Sequence, residues 1–281
     1  MRFIYFLVIF FCPLWLFGVS PSDEPEFVIV IPSYNNGRNN SNICIKNLQS
    51  IFSQTYPKFS VIYVNDCSSD DTAALVENFV REYHLENRIK VINNTERKGA
   101  MRNLYEAIHT IDPHKIVVDV DGDDMLAHDK VLERIAKVYS NKNIWITFGS
   151  FQRDPSNVVC HVSPPSQKFL SSGNFANYVD MWQPLRTFYA KLFQLIKKED
   201  LFYQDQFLPT SSDIAMMRWM LEMACPNHFK IVPEVLYLYR LSPISDSRTQ
   251  VTVQRKCERY IFSKPPYKPL KTLFDNPELT N

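Results

Sequence analysis

Four aspartates lie close together in the segment Lys115–Leu126, which reads KIVVDVDGDDML. Asp119 falls inside an apolar run typical of a buried strand, whereas Asp121, Asp123 and Asp124 follow the end of that run. Carboxylates this close repel one another unless a cation compensates, and hard divalent ions prefer oxygen ligands. Mg²⁺ or Mn²⁺ bound by one or two carboxylates usually completes its shell with substrate phosphates. The segment therefore predicts a metal site that handles a phosphate-bearing substrate.

Polar residues also follow other apolar runs, at Pro32–Asn35, Asn65–Ser68 and Asn93–Asn94. The runs themselves are predicted strands: Phe27–Ile31, Ser60–Val64, Ile89–Ile92, Lys115–Val120 and Ile144–Phe148. Between the first four runs, apolar residues recur at helical spacing. This alternation predicts an α/β fold with a doubly wound, mostly parallel sheet, whose ligands bind beyond the carboxyl ends of the strands.

Composition excludes several classes of protein. The six glycines are scattered singly among 281 residues, so neither GxGxxG nor GxxxxGK[ST] occurs. Dinucleotide enzymes with the usual fingerprint, P-loop NTPases and typical protein kinases are thereby excluded. The formal net charge is only +1, which argues against nucleic acid as a partner.

The acidic segment has two alternative interpretations. A calcium-binding EF-hand loop fails because, counting from Asp119, the sixth position is Asp124 and the twelfth is Lys130. The stretch VVDVDGD also resembles the nucleophile motif of haloacid dehalogenase-like phosphatases, in which Asp119 would attack phosphorus and Asp121 would act as acid and base. Three predicted strand–helix units precede the motif here, whereas such enzymes carry it near the start of the domain.

Taken together, the motifs resemble those of the family 2 glycosyltransferases, which have the GT-A fold. The matching pieces occur in the family's order and are FVIVIPSYNN, VIYVNDCSSDDT, the shortened KGxxxARN element Lys98–Asn103, the DxD element IVVDVDGDDML, Ser212-Asp213 before a helix, and the closing strand Val232–Arg240. The resemblance implies one GT-A domain at residues 27–240. Its nucleotide-sugar-binding half would be residues 27–125, and its acceptor-side half residues 150–240.

The resemblance also implies an activity and donor-site residues. The activity would be inverting transfer of a sugar, hexosyltransferase in type, from a nucleotide-sugar donor to a glycan, lipid or protein acceptor, with a UDP-linked donor as the expected one. The residues implied around the base and ribose are Pro32, Tyr34, Asn35, Asp66, Arg102 and Asp121. Asp121 and Asp123 would hold Mn²⁺ or Mg²⁺, which neutralises charge on the leaving diphosphate.

On the acceptor side, the resemblance implies that Asp213 is the general base, because inverting transfer needs a carboxylate to take the acceptor's proton. Trp182 and Arg186 would line the acceptor site. The chain departs from the family's usual residues at four positions: Asn65, Cys67, Ser212 and Ser242. These departures leave open a protein that binds nucleotide sugar or glycan without turnover.

The two ends of the chain differ from the middle. Arg2 precedes the unbroken apolar run Phe3–Phe17, and acidic residues follow. The run is shorter than the roughly 20 residues that span a membrane, so residues 1–22 are predicted to be a cleaved signal peptide or an uncleaved membrane anchor, with the domain extracytoplasmic. Residues 241–281 form a basic, proline-containing tail, for which we expect either a solvated end segment or contact with an anionic surface.

Overall fold

The computed structural model describes residues 24–37, 42–166, 180, 182–241 and 251–274. Its helices are α1 Ile43–Phe52, α2 Thr72–Glu82, α3 Ala100–Ile108, α4 Val131–Tyr139, α5 Ala190–Gln194, α6 Ser212–Ala224 and α7 Val251–Ser263. Its strands are β1 Phe27–Ser33, β2 Phe59–Asn65, β3 Ile89–Asn93, β4 Ile116–Asp119, β5 Met125–Leu126, β6 Ile146–Asp154, β7 Val159–Cys160, β8 Arg186–Tyr189, β9 Phe202–Tyr203, β10 Gln206–Phe207 and β11 Phe229–Arg240. In these ranges no helix has the length and apolar character needed to cross a membrane. The predicted signal peptide or anchor at residues 1–22 lies outside the described residues.

Most of the described strands form one large sheet. Its order is β3-β2-β1-β4-β8-β6-β11-β5, and β7 pairs with β6. Strands β1 to β4 are mutually parallel where they pair, β6 is parallel to β11, and β8 runs antiparallel between β4 and β6. Helices flank this sheet, so the predicted mostly parallel α/β architecture is confirmed.

The central strands are apolar because both of their faces are covered. In β1, the residues from Phe27 to Ile31 are all buried, and β2 is nearly as apolar. Helix α1 buries Cys44, Leu48 and Ile51 at the spacing that places them on one face. Complete burial of a leucine or isoleucine side chain contributes about 1.5–3 kcal/mol, so this face of α1 stabilises the core of the domain.

Several elements were absent from the sequence prediction, among them helix α4 and strand β8. Strand β8, which reads RTFY, is four residues long and begins with an arginine that is only 4% exposed. A sequence pattern treats such an arginine as exposed, because burial of its charge depends on a partner from another part of the chain. That partner is Asp119, directly opposite Arg186 in the pairing of β4 with β8.

The C-terminal segment packs against the domain, so the prediction of a solvated tail is wrong for residues 251–274. Helix α7 buries Cys257 and Ile261. On α6, the buried side chain of Arg218 pairs with Glu222 at 2.8 Å and donates to the carbonyls of Ile261 and Lys264. Arg218 thus holds the end of α7 through its backbone carbonyls, and Glu222 compensates the buried charge of Arg218.

Candidate active site

The acidic turn after β4 lies against the end of β1. The backbone N–H of Gly122 donates to the carbonyl of Pro32 at 3.1 Å. A Cβ atom at residue 122 would lie 2.6 Å from the Cβ of Ser33, closer than real Cβ atoms approach. Glycine between the aspartates therefore allows the turn to contact β1, and the predicted donor residue Pro32 supports the acidic turn through its backbone.

Arg186 joins two of the aspartates. Its Nε donates to Asp119 at 2.7 Å, its Nη2 to Asp121 at 3.1 Å and its Nη1 to the carbonyl of Trp182 at 3.0 Å. The resemblance implied an acceptor role for Arg186 and Trp182, and the structure places both beside the acidic turn. Because the guanidinium is directed at these three partners, Arg186 compensates carboxylate charge inside the site.

Asp119 is buried below the site. It is 2% exposed, and its Oδ1 atom has no hydrogen-bond partner among the described residues. Burial raises the pKa of Asp119 to about 6, although the charge of Arg186 opposes the shift. A phosphatase nucleophile must reach phosphorus, and this carboxylate is enclosed and ion-paired. The geometry therefore argues against the haloacid dehalogenase-like alternative.

The backbone of the acidic turn is fixed by a buried aspartate and a tyrosine. Asp124 accepts hydrogen bonds from the Tyr237 hydroxyl at 2.8 Å and from the Arg240 N–H at 2.7 Å. The Tyr237 oxygen in turn accepts the N–H of Asp121 at 3.1 Å. From α1, the Asn47 amide donates to the carbonyls of Asp121 and Asp124 at 3.1 and 2.7 Å. Sequence reasoning missed Tyr237 and Asn47, since their role depends on contacts distant in the chain.

Two carboxylates of the turn remain accessible. The side chain of Asp121 is 43% exposed, and Asp123 is half-buried. Desolvation, together with the charge of Asp121, raises the pKa of Asp123 to about 6. Within the described ranges, no three His, Cys, Asp or Glu side chains lie close enough to hold a metal by themselves. A pair of carboxylates fits Mg²⁺ or Mn²⁺ bound together with substrate phosphates, and does not fit a closed all-protein metal cage.

Asp213 lies in the first turn of α6, as predicted. Its Oδ1 accepts the N–H of Ile214 at 2.8 Å, and the residue is half-buried. Desolvation of the carboxyl raises the pKa of Asp213, while Arg186 opposes the shift and Asp121 adds to it. Arg186 and Asp121 therefore lie close enough to Asp213 for their charges to act on its carboxyl group.

At the donor end, Asp66 accepts several hydrogen bonds. Its Oδ1 accepts from the Asn94 amide at 2.9 Å and from the Lys98 N–H at 2.8 Å, and its Oδ2 accepts from the Gly99 N–H at 2.9 Å. The Nε of Arg97 lies 3.2 Å from Oδ2. Although burial opposes the shift, hydrogen bonds from amide and backbone donors, including the Asn103 amide, lower the pKa of Asp66. The carboxylate is therefore held ionised at the carboxyl end of β2.

Of the other residues predicted near the base, Tyr34 and Asn35 lie close to the turn after β2, whereas Arg102 forms a surface ion pair. Tyr34 lies beneath Arg97, whose guanidinium is 3.3 Å from the centre of the tyrosine ring. The N–H of Asn35 donates to the Ser68 hydroxyl at 2.9 Å, so Asn35 is tied to the turn after β2. Arg102, by contrast, pairs with Glu106 at 2.8 Å on the surface of α3. Sequence reasoning missed Arg97, although it directly precedes the Lys98-Gly99 motif.

Cys67, which replaces the usual glycine beside Asp66, has a φ of 56°, in the left-handed region that favours glycine. We expect Cys67→Gly to change the free energy of unfolding by less than about 1 kcal/mol. Cys67→Val should lower it by about 1–2 kcal/mol relative to Cys67→Gly, because a β-branched side chain clashes with this backbone conformation. Urea denaturation measures both values.

Cys160 provides a matched control, since it is a half-buried cysteine in strand β7, where valine is favoured. Cys160→Val should be close to neutral. A valine at residue 67 that is tolerated as well as one at residue 160 would contradict the backbone argument.

The relatives of the chain include two named glycosyltransferases. The chain is 26% identical over 231 residues to Glycosyltransferase GlyG of Streptococcus pneumoniae, an alignment that covers 79% of this chain and 73% of that protein. It is 26% identical over 132 residues to Bifunctional glycosyltransferase pgtA of Dictyostelium discoideum, which covers 44% of this chain and only 17% of that protein.

Two solved structures share the fold. S. aureus TarS in complex with UDP-GlcNAc superposes with a TM-score of 0.60 at 17% identity, covering 80% of this chain and 61% of that chain. The mannosyltransferase PcManGT from Pyrobaculum calidifontis, in complex with GDP-Man and Mn²⁺, gives a TM-score of 0.55 at 18% identity, covering 81% of this chain and 60% of that chain. These similarities show the GT-A fold.

The sequence profile of the family described as Glycosyl transferase family 2 matches residues 28–202. The match includes both strand ends that carry Asp66 and the acidic turn, and it covers more than half of the chain. The chain therefore belongs to glycosyl transferase family 2 and has the GT-A fold.

Proposed function

We propose that the protein transfers a sugar from a UDP-linked donor to an acceptor hydroxyl, with inversion at the anomeric carbon and with a divalent metal ion. The observation that supports this most is the position of Arg186 at the carboxyl end of β4, where it donates to Asp121 and where its charge also acts on Asp213, while Asp123 lies in the same turn as Asp121. In this proposal Asp121 and Asp123 act on the diphosphate of the donor, and Asp213, in the first turn of α6, acts on the acceptor.

In this proposal Asp213 is the general base. The acceptor oxygen forms a bond to the anomeric carbon while the bond from that carbon to the phosphate oxygen breaks, and UDP leaves with the electron pair. Asp213 takes the acceptor's proton. Attack occurs on the face opposite the leaving group, which inverts the anomeric configuration. The hydrogen bond from the Ile214 N–H to Oδ1 orients the carboxylate and leaves Oδ2 for the proton.

Asp123 and Asp121 are the proposed metal ligands, and Asp121 also faces the ribose. When bound, the metal ion would stabilise negative charge on the leaving diphosphate. Arg186 keeps the Asp121 carboxylate in place by donating to its Oδ2 atom, and Oδ1 is the oxygen that we propose for the metal ion. Tyr237 and Asn47 hold the backbone of the turn and thereby limit movement of both carboxylates.

The hydrogen bonds around Asp66 support uracil as the base. The side chains of Asn94 and Asn103 and the N–H groups of Lys98 and Gly99 all donate to this carboxylate. If the exposed Arg97 leaves, only the place that it occupies beside Oδ2 becomes free. Uracil presents one ring N–H, which matches that position, whereas guanine presents adjacent N–H groups that would need an acceptor on each oxygen.

We further propose an extracytoplasmic location, through residues 1–22 as a signal peptide or membrane anchor, and a glycan, lipid or protein acceptor. The apolar run behind Arg2 supports the first proposal. Half-buried Trp182, whose carbonyl is bonded to Arg186, supports an acceptor site next to the acidic turn.

A thermal-shift measurement with nucleotides tests the proposed donor. UDP with Mn²⁺, at about 100 times its Kd, should stabilise the fold by about 2.7 kcal/mol and raise Tm by several degrees. GDP at the same concentration should raise Tm much less, because Asp66 has one acceptor position for its base.

The outcomes separate the alternatives. Equal Tm increases with UDP and GDP would contradict the base preference and leave the nucleotide site intact. No increase with any nucleotide or nucleotide sugar would contradict the function itself. Binding of UDP-sugars without hydrolysis or transfer, with any acceptor tried, would identify a binding protein that has lost turnover.

A further inference from the structure

The guanidinium of Arg97 occupies the place where the base of the donor is expected to bind. This inference rests on the proposed function and concerns how that site opens. Arg97 lies over the ring of Tyr34, with its guanidinium carbon 3.3 Å from the ring centre. Its Nε atom lies 3.2 Å from Oδ2 of Asp66. A single planar group thus covers both the aromatic face and the carboxylate that would hold a base.

A guanidinium and a uracil ring compete for the same contacts. Both are planar, both stack on an aromatic face, and both present N–H groups at their edge. Tyr34 can stack one such group on its exposed face. The Asp66 carboxylate is likewise fully engaged, because the side chains of Asn94 and Asn103 and the N–H groups of Lys98 and Gly99 donate to it, and Arg97 lies 3.2 Å from its Oδ2.

Of these donors, Arg97 is the one that can leave. The N–H groups of Lys98 and Gly99 belong to the backbone at the start of α3, and the Asn94 side chain also donates to Asn103 at 2.8 Å. The side chain of Arg97 is 43% exposed, so it can turn into solvent without unfolding the loop.

We propose that Arg97 is a gate at the nucleobase site: it closes the site in the donor-free protein and must leave Tyr34 and Asp66 before the base binds. Closure keeps the buried Asp66 charge compensated while no donor is present. Exposed ion pairs and cation–π contacts are weak, so the gate should lower donor affinity by only about three- to thirtyfold.

Isothermal titration with UDP and Mn²⁺ on the full chain tests the gate. Arg97→Ala should bind UDP about three- to thirtyfold more tightly than the unmodified protein. Pyrophosphate with Mn²⁺ has no base, so its affinity should change by less than about twofold. Arg97→Lys keeps the charge near Asp66 but loses planar stacking. We expect its affinity for UDP to lie between those of Arg97→Ala and the unmodified protein.

Two controls separate the gate from a general effect of charge or stability. Arg81→Ala removes an arginine from the surface of α2, where Arg81 bonds to Asn78, and should leave UDP affinity unchanged. Thermal denaturation of each variant reports folding. If Arg97→Ala does not fold, the Arg97→Lys titration decides the question.

UDP affinity that falls in both Arg97 variants would overturn the gate and indicate that Arg97 binds the nucleotide. An unchanged affinity would also overturn it. Failure of every form to bind UDP, with pyrophosphate bound normally, would overturn the proposed uridine donor and the gate with it. Binding of UDP to Arg97→Ala alone would be the strongest support, since it would show a site that is present but closed.

Discussion

Asp213→Asn is expected to reduce kcat for sugar transfer by about 10²- to 10⁴-fold, the range that general-base catalysis contributes. Asparagine keeps the size of the side chain and can still accept the N–H of Ile214, so the start of α6 should remain intact. It cannot take a proton from the acceptor. UDP affinity should therefore stay within about threefold, because the proposed base acts on the acceptor side. Steady-state kinetics and UDP titration measure the two values.

The pH dependence gives a second measure of the same residue. Asp213 must be ionised to act as base, and desolvation raises its pKa above that of an ordinary aspartate, although Arg186 opposes the shift. Activity should therefore decline as the pH falls, and the decline should occur at a higher pH than the pKa of an ordinary aspartate would give. Asp112→Asn, at an exposed position before β4, is the matched control and should leave kcat unchanged. Transfer that persists at the normal rate in Asp213→Asn would remove Asp213 from the base role.

Arg186→Met is expected to lower the free energy of unfolding by about 3–5 kcal/mol. Methionine fills similar space but has no charge, so buried Asp119 would lose both its counter-ion and a 2.7 Å hydrogen bond. Asp121 would lose a donor as well. A buried carboxylate without compensation is among the most destabilising defects in a folded protein. Urea denaturation followed by circular dichroism measures the loss.

Two further variants define the cause. Arg134→Met removes a partly exposed arginine that pairs with Glu234 at 2.8 Å, and should cost less than about 1 kcal/mol. The double variant Arg186→Met with Asp119→Leu should recover much of the stability, because the fully buried carboxylate without a counter-ion is no longer present. If Arg186→Met were no more destabilising than Arg134→Met, or if the double variant recovered nothing, buried charge compensation would not explain the role of Arg186.

Local signals were enough to predict much of the fold. Continuous apolar runs located β1 to β4, and helical spacing located α1 and α3, because both patterns arise from which side chains face the core. Polar residues after those runs located Asp66 and the acidic turn, since parallel strands end at one edge of the sheet. The order of motifs gave the family, and the family profile over residues 28–202 confirmed it.

These local sequence patterns could not predict contacts between segments that are distant in the chain. The burial of Arg186 depends on Asp119, which lies 67 residues away, and the packing of α7 depends on Arg218, 43 residues before Ile261. Neither arginine differs in the sequence from one on the surface. Charge burial is decided by whether a partner is supplied in three dimensions.

The sequence by itself determined that carboxylates would gather at the carboxyl ends of parallel strands, because strand and turn patterns are local. Only the tertiary structure decided how each one is used. It encloses Asp119 with Arg186, bonds Asp124 to Tyr237, and leaves Asp121 and Asp123 accessible. It also places Arg97 over Tyr34. The physical reason is that ionisation, accessibility and hydrogen-bond capacity depend on every neighbouring group, and those neighbours come from parts of the chain that only folding brings together.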